Sequence, residues 1–225
     1  QLQNPVASLI SVPFQNNFEH GFGPNEKGSR YTLRMQPVIP SSVSENWNLI
    51  IRPILPFISQ NKVVNDESQV GLGDLQLELF LSPKEVGSSG IIWGAGAVLL
   101  IPTGTDKYLS TKKWGIGPSA VILKQSGPWT FGMLANQVWS YAGDSSRSKV
   151  NFSYFQPFMA HVWGKGFALN CSSETSYDWT GEEWTVPVIA GVSQILPIAG
   201  QLVSLGVSGI YYAKAPVGGP QLGVR

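Results

Sequence analysis

Charged side chains recur at a spacing of four residues in several segments of this chain. On a β-strand, residues two or four apart lie on the same face, so each such pair points the same way. Guanidinium and carboxylate groups gathered on one face can line a water-filled path and set its electric field, or they can neutralise one another as packed ion pairs. Both roles stay open for the seven residues that we predict to line the interior of a barrel, namely Arg30, Arg34, Arg52, Asp74, Glu78, Glu174 and Asp178.

Catalytic chemistry has less support in the sequence. A barrel that acts on lipid as a lipase or acyltransferase needs a serine or similar nucleophile beside a histidine base. His20 and His161 are the only histidines, and neither lies in a GxSxG motif. The single cysteine, Cys171, gives neither a disulfide framework nor a set of zinc ligands. We interpret GLGD (71–74) as a tight turn, and we predict no catalytic residue, no metal and no cofactor.

The composition indicates a surface that water covers only in part. Charged residues make up 13% of the 225 residues, about half the share in ordinary soluble domains, whereas Trp, Phe and Tyr number 8, 10 and 7. Nothing in the composition divides the chain, so we predict a single domain over residues 1–225. The 15 basic and 14 acidic residues form no basic stripe, which argues against nucleic acid as a partner.

Alternating polar and apolar residues predict strands along most of the chain. The predicted strands lie near residues 6–18, 29–40, 46–60, 69–82, 90–102, 113–125, 128–142, 148–163, 166–180, 183–196 and 200–214, and a twelfth begins at Gln221. Strands of this length exceed the usual ~5–6 residues of soluble sheets and suit a tilted strand that crosses a bilayer. We therefore predict an all-β fold, a transmembrane antiparallel up-and-down β-barrel of about twelve strands.

The same alternation predicts which side chains face outward. They are Leu33, Met35, Leu75, Leu77, Leu79, Val203, Leu205 and Val207. Short turns at 126–128, 164–166 and 181–183 alternate with longer links at 61–68 and 143–149, which predicts one trimmed rim and one looped rim. A soluble lipocalin-like carrier would need more polar outward faces than these segments offer.

A membrane-spanning helix is the competing interpretation for residues 186–213, which contain no charged side chain. Pro187, Pro197 and four glycines oppose it, because each Pro or Gly costs roughly 3 or 1 kcal/mol inside a helix. A hairpin with its turn near 197–200 is the prediction that we prefer.

Tryptophans cluster near the ends of the predicted strands. The seven in such positions are Trp47, Trp114, Trp129, Trp139, Trp163, Trp179 and Trp184. Indoles at a membrane surface keep the ring apolar and the N–H in water, so this placement predicts two interfacial girdles. The alternative is that aromatic residues merely start hairpins.

Many segments resemble those of one known family. They are NPVASLISVPFQNNFEHG (4–21), QPVIP (36–40), WNLIIRPILPFI (47–58), GLGDLQLELFLSP (71–83), LIPTGT (100–105), KWGIGPSAVIL (113–123), GPWTFGMLANQVWSYAG (127–143), QPF (156–158) and SETSYDW (173–179). In this order, along nearly the whole chain, they are similar to the outer-membrane proteins labelled as belonging to the meta pathway of phenol degradation. The resemblance implies a small outer-membrane channel associated with the uptake of hydrophobic or aromatic compounds.

The two ends of the sequence carry expectations of their own. The chain begins QLQNPVASL, without a basic segment followed by an apolar one, so we expect that any signal peptide is not part of it. Members of the resembled family finish on a strand with an aromatic ending, whereas this chain stops at 221–225 without one. We therefore expect the last strand to be incomplete, which would leave an open edge with unsatisfied backbone groups.

These observations lead to one expected function and two alternatives. The expected function is passive uptake of small molecules, hydrophobic or aromatic ones by the resemblance, through a narrow channel in the outer membrane of a Gram-negative bacterium. Membrane lipid and small solutes are the expected partners, and the oligomeric state stays open. The first alternative is a structural or adhesive barrel whose lumen is sealed by ion pairs, and the second is a barrel enzyme that acts on lipid.

Overall fold

The structure is a computed structural model that describes residues 10–64 and 67–225. It contains fifteen strand segments, which are β1 Phe14–Phe22, β2 Gly28–Met35, β3 Ile39–Ser42, β4 Trp47–Val64, β5 Glu67–Leu72, β6 Leu75–Pro83, β7 Ile91–Ile101, β8 Lys113–Ser126, β9 Trp129–Gly143, β10 Asn151–Trp163, β11 Phe167–Ser173, β12 Thr175–Asp178, β13 Glu183–Ile198, β14 Gln201–Lys214 and β15 Leu222–Val224. The first predicted strand, 6–18, lies partly outside the described residues, and the part that is described begins its strand only at Phe14.

The fifteen segments form twelve barrel strands. β2 and β3 pair with the same neighbour, β4, and so do β5 and β6, while β11 and β12 both pair with β10 and β13. Each of these three pairs is one barrel strand with a short interruption. All pairings of the described strands are antiparallel and join neighbours in chain order, and β15 pairs with both β14 and β1. The barrel is therefore closed, which confirms the predicted fold class.

The stretch 186–213 forms a hairpin and not a helix. β13 and β14 pair along their whole length, and the turn between them consists of Ala199 and Gly200, with φ of 49° and 78°. Two positive φ values give the backbone twist that a two-residue hairpin turn requires. Among residues 10–64 and 67–225, no helix is long and apolar enough to cross a membrane.

The connections between strands lie at two rims, because the strands alternate in direction. The rim called upper here carries the loops 23–27, 102–112, 144–150, 179–182 and 215–221, and the lower rim carries 43–46, 84–90, 127–128, 164–166 and 199–200. The short length of the 181–183 turn predicts a place on the trimmed rim. In the structure it lies on the upper rim, with the longer loops. The predicted link 61–68 is largely strand, since β4 runs to Val64 and β5 begins at Glu67.

Register divides the side chains into two sets. Pairing Arg34 with Pro56, and Glu78 with both Arg52 and Val98, places these residues on one face, and the same face continues around the closed barrel as its interior. The predicted outward residues lie on the other face. Leu205 and Val207 are each 56% exposed, whereas Leu75, Leu77 and Leu79 of β6 are only partly exposed.

The tryptophans lie near the ends of the strands. Trp47, Trp93, Trp129 and Trp163 lie towards the lower rim, and Trp114, Trp139, Trp179 and Trp184 towards the upper rim. All eight are exposed in part. The Nε1–H of Trp179 donates to Ser153 at 2.8 Å, so this indole satisfies its N–H within the protein. The interpretation of both sets as interfacial girdles stays a prediction.

One side of the lumen is filled with apolar side chains. We call this side the packed half; it consists of Val38, Ile50, Phe80, Val121, Leu123 and Leu134 towards the lower rim and Val98, Leu100 and Val138 towards the upper rim. Ile50, Phe80, Val98 and Val138 have no exposed surface. Interiors of small barrels are commonly closed by side chains in this way. The opposite side, the open half, contains the cavities described next.

Candidate functional site: a charged layer across the lumen

The open half of the lumen contains two cavities. The one nearer the upper rim has a volume of about 640 Å³, and the one nearer the lower rim has a volume of about 330 Å³. Residues of the larger cavity lie above those of the smaller one on each strand that borders both, as with Tyr154 and Phe158 on β10, Thr185 and Ile189 on β13, and Tyr212 and Ser208 on β14. The two cavities therefore follow one another along the barrel axis.

A layer of polar side chains separates the two cavities. Gln15, Gln36, Arg52 and Gln156 border both of them, so the layer is about one side chain thick. We call it the charged layer and define it as Gln15, Arg34, Gln36, Arg52, Glu78, Glu174 and Arg225. The three ion pairs found among residues 10–64 and 67–225 all lie in this layer.

At one end, the charged layer is anchored in the packed half. Arg52 donates to Glu78 at 2.6 Å, and Asn136 donates to the other oxygen of the same carboxylate at 3.0 Å. The side chain of Glu78 is only 2% exposed and that of Arg52 12%. A carboxylate buried this deeply depends on its partners, because a charge without them pays the full cost of desolvation.

At the other end, the charged layer crosses the lumen. Arg34 Nη1 lies 2.8 Å from Glu174 Oε2, and Arg225 Nη2 lies 2.7 Å from Glu174 Oε1, so one carboxylate holds two guanidinium groups. Arg34 is on β2 and Glu174 is between β11 and β12, five positions away around the twelve-strand barrel. The Arg34–Glu174 pair therefore spans the lumen and does not run along its wall.

Two glutamines connect the ends of the layer. Arg52 Nη2 donates to Gln36 at 2.7 Å, and Gln36 lies 2.9 Å from the Gln15 amide. In one orientation the Gln15 oxygen accepts from Arg34 at 3.4 Å, and in the other it accepts from Arg225 Nη1 at 2.7 Å. Either orientation satisfies an arginine, so the contacts continue from the packed half to Glu174.

Two of the strand interruptions lie at the level of this layer. Gln36 is in the gap between β2 and β3, and Glu174 is in the gap between β11 and β12. Beside Glu174, the Ser173 hydroxyl donates to the carbonyl of Pro187 at 2.6 Å, and it lies 2.7 Å from the Thr175 hydroxyl. These bonds replace ladder hydrogen bonds where the strand is irregular, and they hold the backbone that carries Glu174.

The seven residues predicted to line the interior are not all in the layer. Arg34, Arg52, Glu78 and Glu174 belong to it, whereas Arg30 and Asp74 border the larger cavity above it. Arg30 donates to Gln60 at 2.9 Å and lies 4.5 Å from the centre of the Phe22 ring. Asp178 is exposed at the upper rim, where it accepts from the Thr180 backbone at 2.8 Å, and it borders neither cavity.

Asp74 holds the 102–112 loop at the mouth of the barrel. Its carboxylate accepts from Gly104 N at 3.1 Å, from Ser110 Oγ at 2.6 Å, and from Thr111 N and Oγ1 at 2.7 and 2.6 Å. Gly71 faces inward, and a Cβ there would lie 2.2 Å from Thr105 Oγ1, so the GLGD segment lets the loop approach closely. The segment is thus more than the turn predicted from sequence, because it is the surface on which the loop packs.

The neighbouring 144–150 loop also binds the 102–112 loop, through Arg147. Arg147 Nη2 donates to the carbonyls of Lys107 and Ser110, both at 2.6 Å. At the start of that loop, hydrogen bonds from the hydroxyl and the backbone N–H of Ser146, at 2.7 and 2.9 Å, hold the pKa of Asp144 below its ordinary value. The loops of the upper rim therefore support one another.

Several lumen residues were not among those predicted from sequence. They are Gln15, Glu19, Gln36, Asn136, Tyr154, Tyr212 and Arg225. Glu19 accepts a short hydrogen bond from Tyr212, and Arg225 also donates to Asn17 at 2.8 Å. Alternation of Gln15 and Glu19 with apolar neighbours is the signal for the β1 residues, but the predicted strand 6–18 ends before Glu19.

The two histidines point away from the lumen. The register of β1 and β10 places His20 and His161 on the outer face. His161 packs between Trp129 and Trp163, with ring centres 4.4 and 4.1 Å apart. Within the described residues, no three His, Cys, Asp or Glu side chains come together as possible metal ligands.

Comparisons with known proteins support the fold. No family model matches the chain, and no curated protein matches it. Among solved structures, the chain is similar to an outer membrane channel from Pseudomonas putida F1, with a TM-score of 0.68 and 15% sequence identity over 96% of this chain and 90% of that one. At this identity the likeness shows the fold, a closed barrel of the kind found in outer-membrane channels.

Proposed function

We propose that this protein is an outer-membrane channel through which small molecules diffuse passively. The observation that carries the proposal is the pair of lumen cavities separated by a layer about one side chain thick. Movement of side chains in this layer would join them, and Glu174 would keep Arg225 as a partner when Arg34 turns away. A path through the open half then needs no movement of a strand.

The outer face of the barrel supports a place in a membrane. Leu205 and Val207 are each 56% exposed on the outer face, and such side chains would be covered by lipid in a bilayer. Pairing of β15 with both β14 and β1 closes the ring over Leu222–Val224 and satisfies the backbone groups of that part of the seam. Together with the fold of the similar channel, these features support the outer membrane of a Gram-negative bacterium as the location.

The cavities suit small molecules as cargo. Volumes of about 640 and 330 Å³ are in the usual range for sites that take small ligands, and they exclude folded or polymeric cargo. The family that the sequence resembles implies hydrophobic or aromatic compounds. The partners of the protein are then membrane lipid and these solutes.

A structural barrel with a sealed lumen is the second candidate. It is favoured by the Arg34–Glu174 pair, which spans the lumen as part of the charged layer. The two candidates differ in ion conductance. A channel passes ions, whereas a sealed barrel passes none.

Recordings of ion current in planar bilayers test the proposal. We expect wild-type protein to show a small conductance, and we expect Arg34→Ala to raise it by at least about twofold, because a fixed charge is removed from a low-dielectric constriction. Arg30→Ala is the matched control. It removes the same charge from the wall of the larger cavity but not from the layer, so its effect should be smaller.

Absence of current from correctly folded wild-type protein, together with no accelerated entry of small solutes into liposomes, would contradict the channel and leave the sealed barrel. Equal effects of Arg30→Ala and Arg34→Ala would contradict the assignment of the charged layer as the constriction.

A further inference from the structure

The larger cavity has two unlike walls. Ile54, Pro56 and Ile58 of β4 form one of them, and Pro216 and Val217 of the loop before β15 extend this apolar surface near the upper rim. The facing wall is polar, with Ser176 and Thr185 beside Glu174, and Tyr154 and Tyr212 next to them. A solute that fills this cavity therefore meets apolar surface on one side and hydrogen-bonding groups on the other.

The floor of the cavity offers one accessible cation. The Arg34 side chain is 34% exposed, whereas those of Arg52 and Arg225 are 12% and 17% exposed. Arg52 also has Glu78 and Gln36 as close partners. Arg34 is therefore the guanidinium of the charged layer that an entering solute reaches.

Exchange of partners at Arg34 leaves no charge unpaired. Glu174 binds Arg34 through Oε2 and Arg225 through Oε1. When a solute carboxylate replaces Glu174 as the partner of Arg34, Glu174 stays paired with Arg225. The solute carboxylate then neutralises Arg34. Carboxylates are good partners for a guanidinium because they can accept two parallel hydrogen bonds.

From these three features we infer that the larger cavity binds small organic monocarboxylates with an apolar body, aromatic or alicyclic. The carboxylate lies on Arg34 and the body lies against Pro56 and Ile58. This inference rests on the proposed channel function and names its substrate class. Binding of the anion opens the Arg34–Glu174 pair, so the solute itself opens the layer that separates the cavities.

The test measures how benzoate changes the ion current of wild-type channels in planar bilayers, with benzamide as a neutral molecule of the same shape. We expect benzoate to interrupt the current at lower concentration than benzamide. Arg34→Gln should raise the half-blocking concentration of benzoate by at least about tenfold, which is the usual size of a lost charged hydrogen bond, and leave that of benzamide unchanged. Arg30→Gln is the matched control and should have a much smaller effect.

A second variant tests the apolar wall. It also keeps the inference testable if Arg34→Gln fails to fold, which is checked by the heat-dependent shift of a folded barrel on gels. Ile58→Ala should weaken block by benzoate and leave block by acetate unchanged, since acetate has no apolar body to place there. An equal effect on both anions would overturn the inference.

The outcomes separate this inference from the proposed function. A wild-type channel that conducts but is blocked equally by benzoate and benzamide overturns the inference and leaves the channel in place. If wild-type protein passes no current, the channel proposal fails, and titration calorimetry of benzoate into the detergent-solubilised barrel decides the inference alone. If benzoate binds and Arg34→Gln weakens this binding, the result supports the site. If benzoate does not bind, the inference is overturned.

Discussion

The packed half and the open half of the lumen have the same strand geometry but differ in the size of their inward side chains. On the packed side, inward positions carry Phe80, Leu123 and Leu134, which have at most 1% of their surface exposed. On the open side, the inward positions of β13, β14 and β15 include Gly191, Ser208 and Gly223. The size of the inward side chains therefore decides where the barrel is solid and where it can hold a solute.

Small residues alone do not make space. Both β7, in the packed half, and β13 and β14, in the open half, carry glycine or other small residues. From sequence alone, these residues suggest free space in both halves of the lumen. The structure differs, because a Cβ on Gly96 would lie 1.9 Å from the carbonyl oxygen of Leu79. Gly96 thus permits close approach of the backbones in the packed half. Gly94 and Gly96 therefore leave no room for a solute, since Phe80 and its neighbours fill that side.

The largest effect that we predict is on the stability of the packed half. Phe80→Ala should lower the free energy of unfolding by about 3–5 kcal/mol, because it removes a fully buried ring and leaves a cavity. Ser208→Ala, on the wall of the smaller cavity, should change it by less than about 0.5 kcal/mol. Urea unfolding in lipid vesicles measures both. Similar values for the two variants would mean that the apolar side is not a packed core.

A second prediction compares the two ends of the charged layer. Arg52→Met should cost about 3 kcal/mol of stability, because it leaves the buried Glu78 carboxylate with only Asn136. Arg34→Met should cost only about 1 kcal/mol, since Glu174 keeps Arg225. The same unfolding measurement applies. A larger cost for Arg34→Met would show that the pair across the lumen, and not the one in the wall, holds the barrel together.

The smallest of these effects concerns the loop at the mouth. Asp74→Asn turns an amide towards the donors of Thr111 and should weaken the anchor by about 1–2 kcal/mol. The expected result is faster trypsin cleavage after Lys107 or Lys112 in an otherwise folded barrel. Asp178→Asn, at an exposed turn of the same rim, is the control and should leave cleavage unchanged. Unchanged cleavage in Asp74→Asn would show that the Arg147 contacts suffice to hold the loop.

Strand positions were predictable because alternation and turn residues are local signals. The predicted strand 113–125 corresponds to Lys113–Ser126, and 183–196 corresponds to Glu183–Ile198. Alternation also placed Arg34 and Glu174 on inward faces. Their contact was not predictable, because residues 140 apart in sequence meet only once the barrel closes with a particular tilt.

The packed half was not predictable for a different reason. In β7, from Ile91 to Ile101, both faces are apolar or small, so alternation does not say which face is inside. A barrel whose exterior meets lipid and whose interior is partly a core has two apolar faces at once. Sequence patterns therefore indicate the charged parts of such a lumen and miss the apolar ones.

The central claim is that solutes pass through the open half and across the charged layer, and thiol accessibility tests it most directly. In a Cys171→Ser background, single cysteines are placed at Thr185 beside the larger cavity, at Ser208 beside the smaller one and at Ser119, which is 3% exposed in the packed half. A charged methanethiosulfonate reagent added on the upper side should reduce the current of the Thr185→Cys and Ser208→Cys channels and leave Ser119→Cys unchanged. Modification of Thr185→Cys alone, with Ser208→Cys unreactive from that side, would show that nothing crosses the layer and would contradict the account.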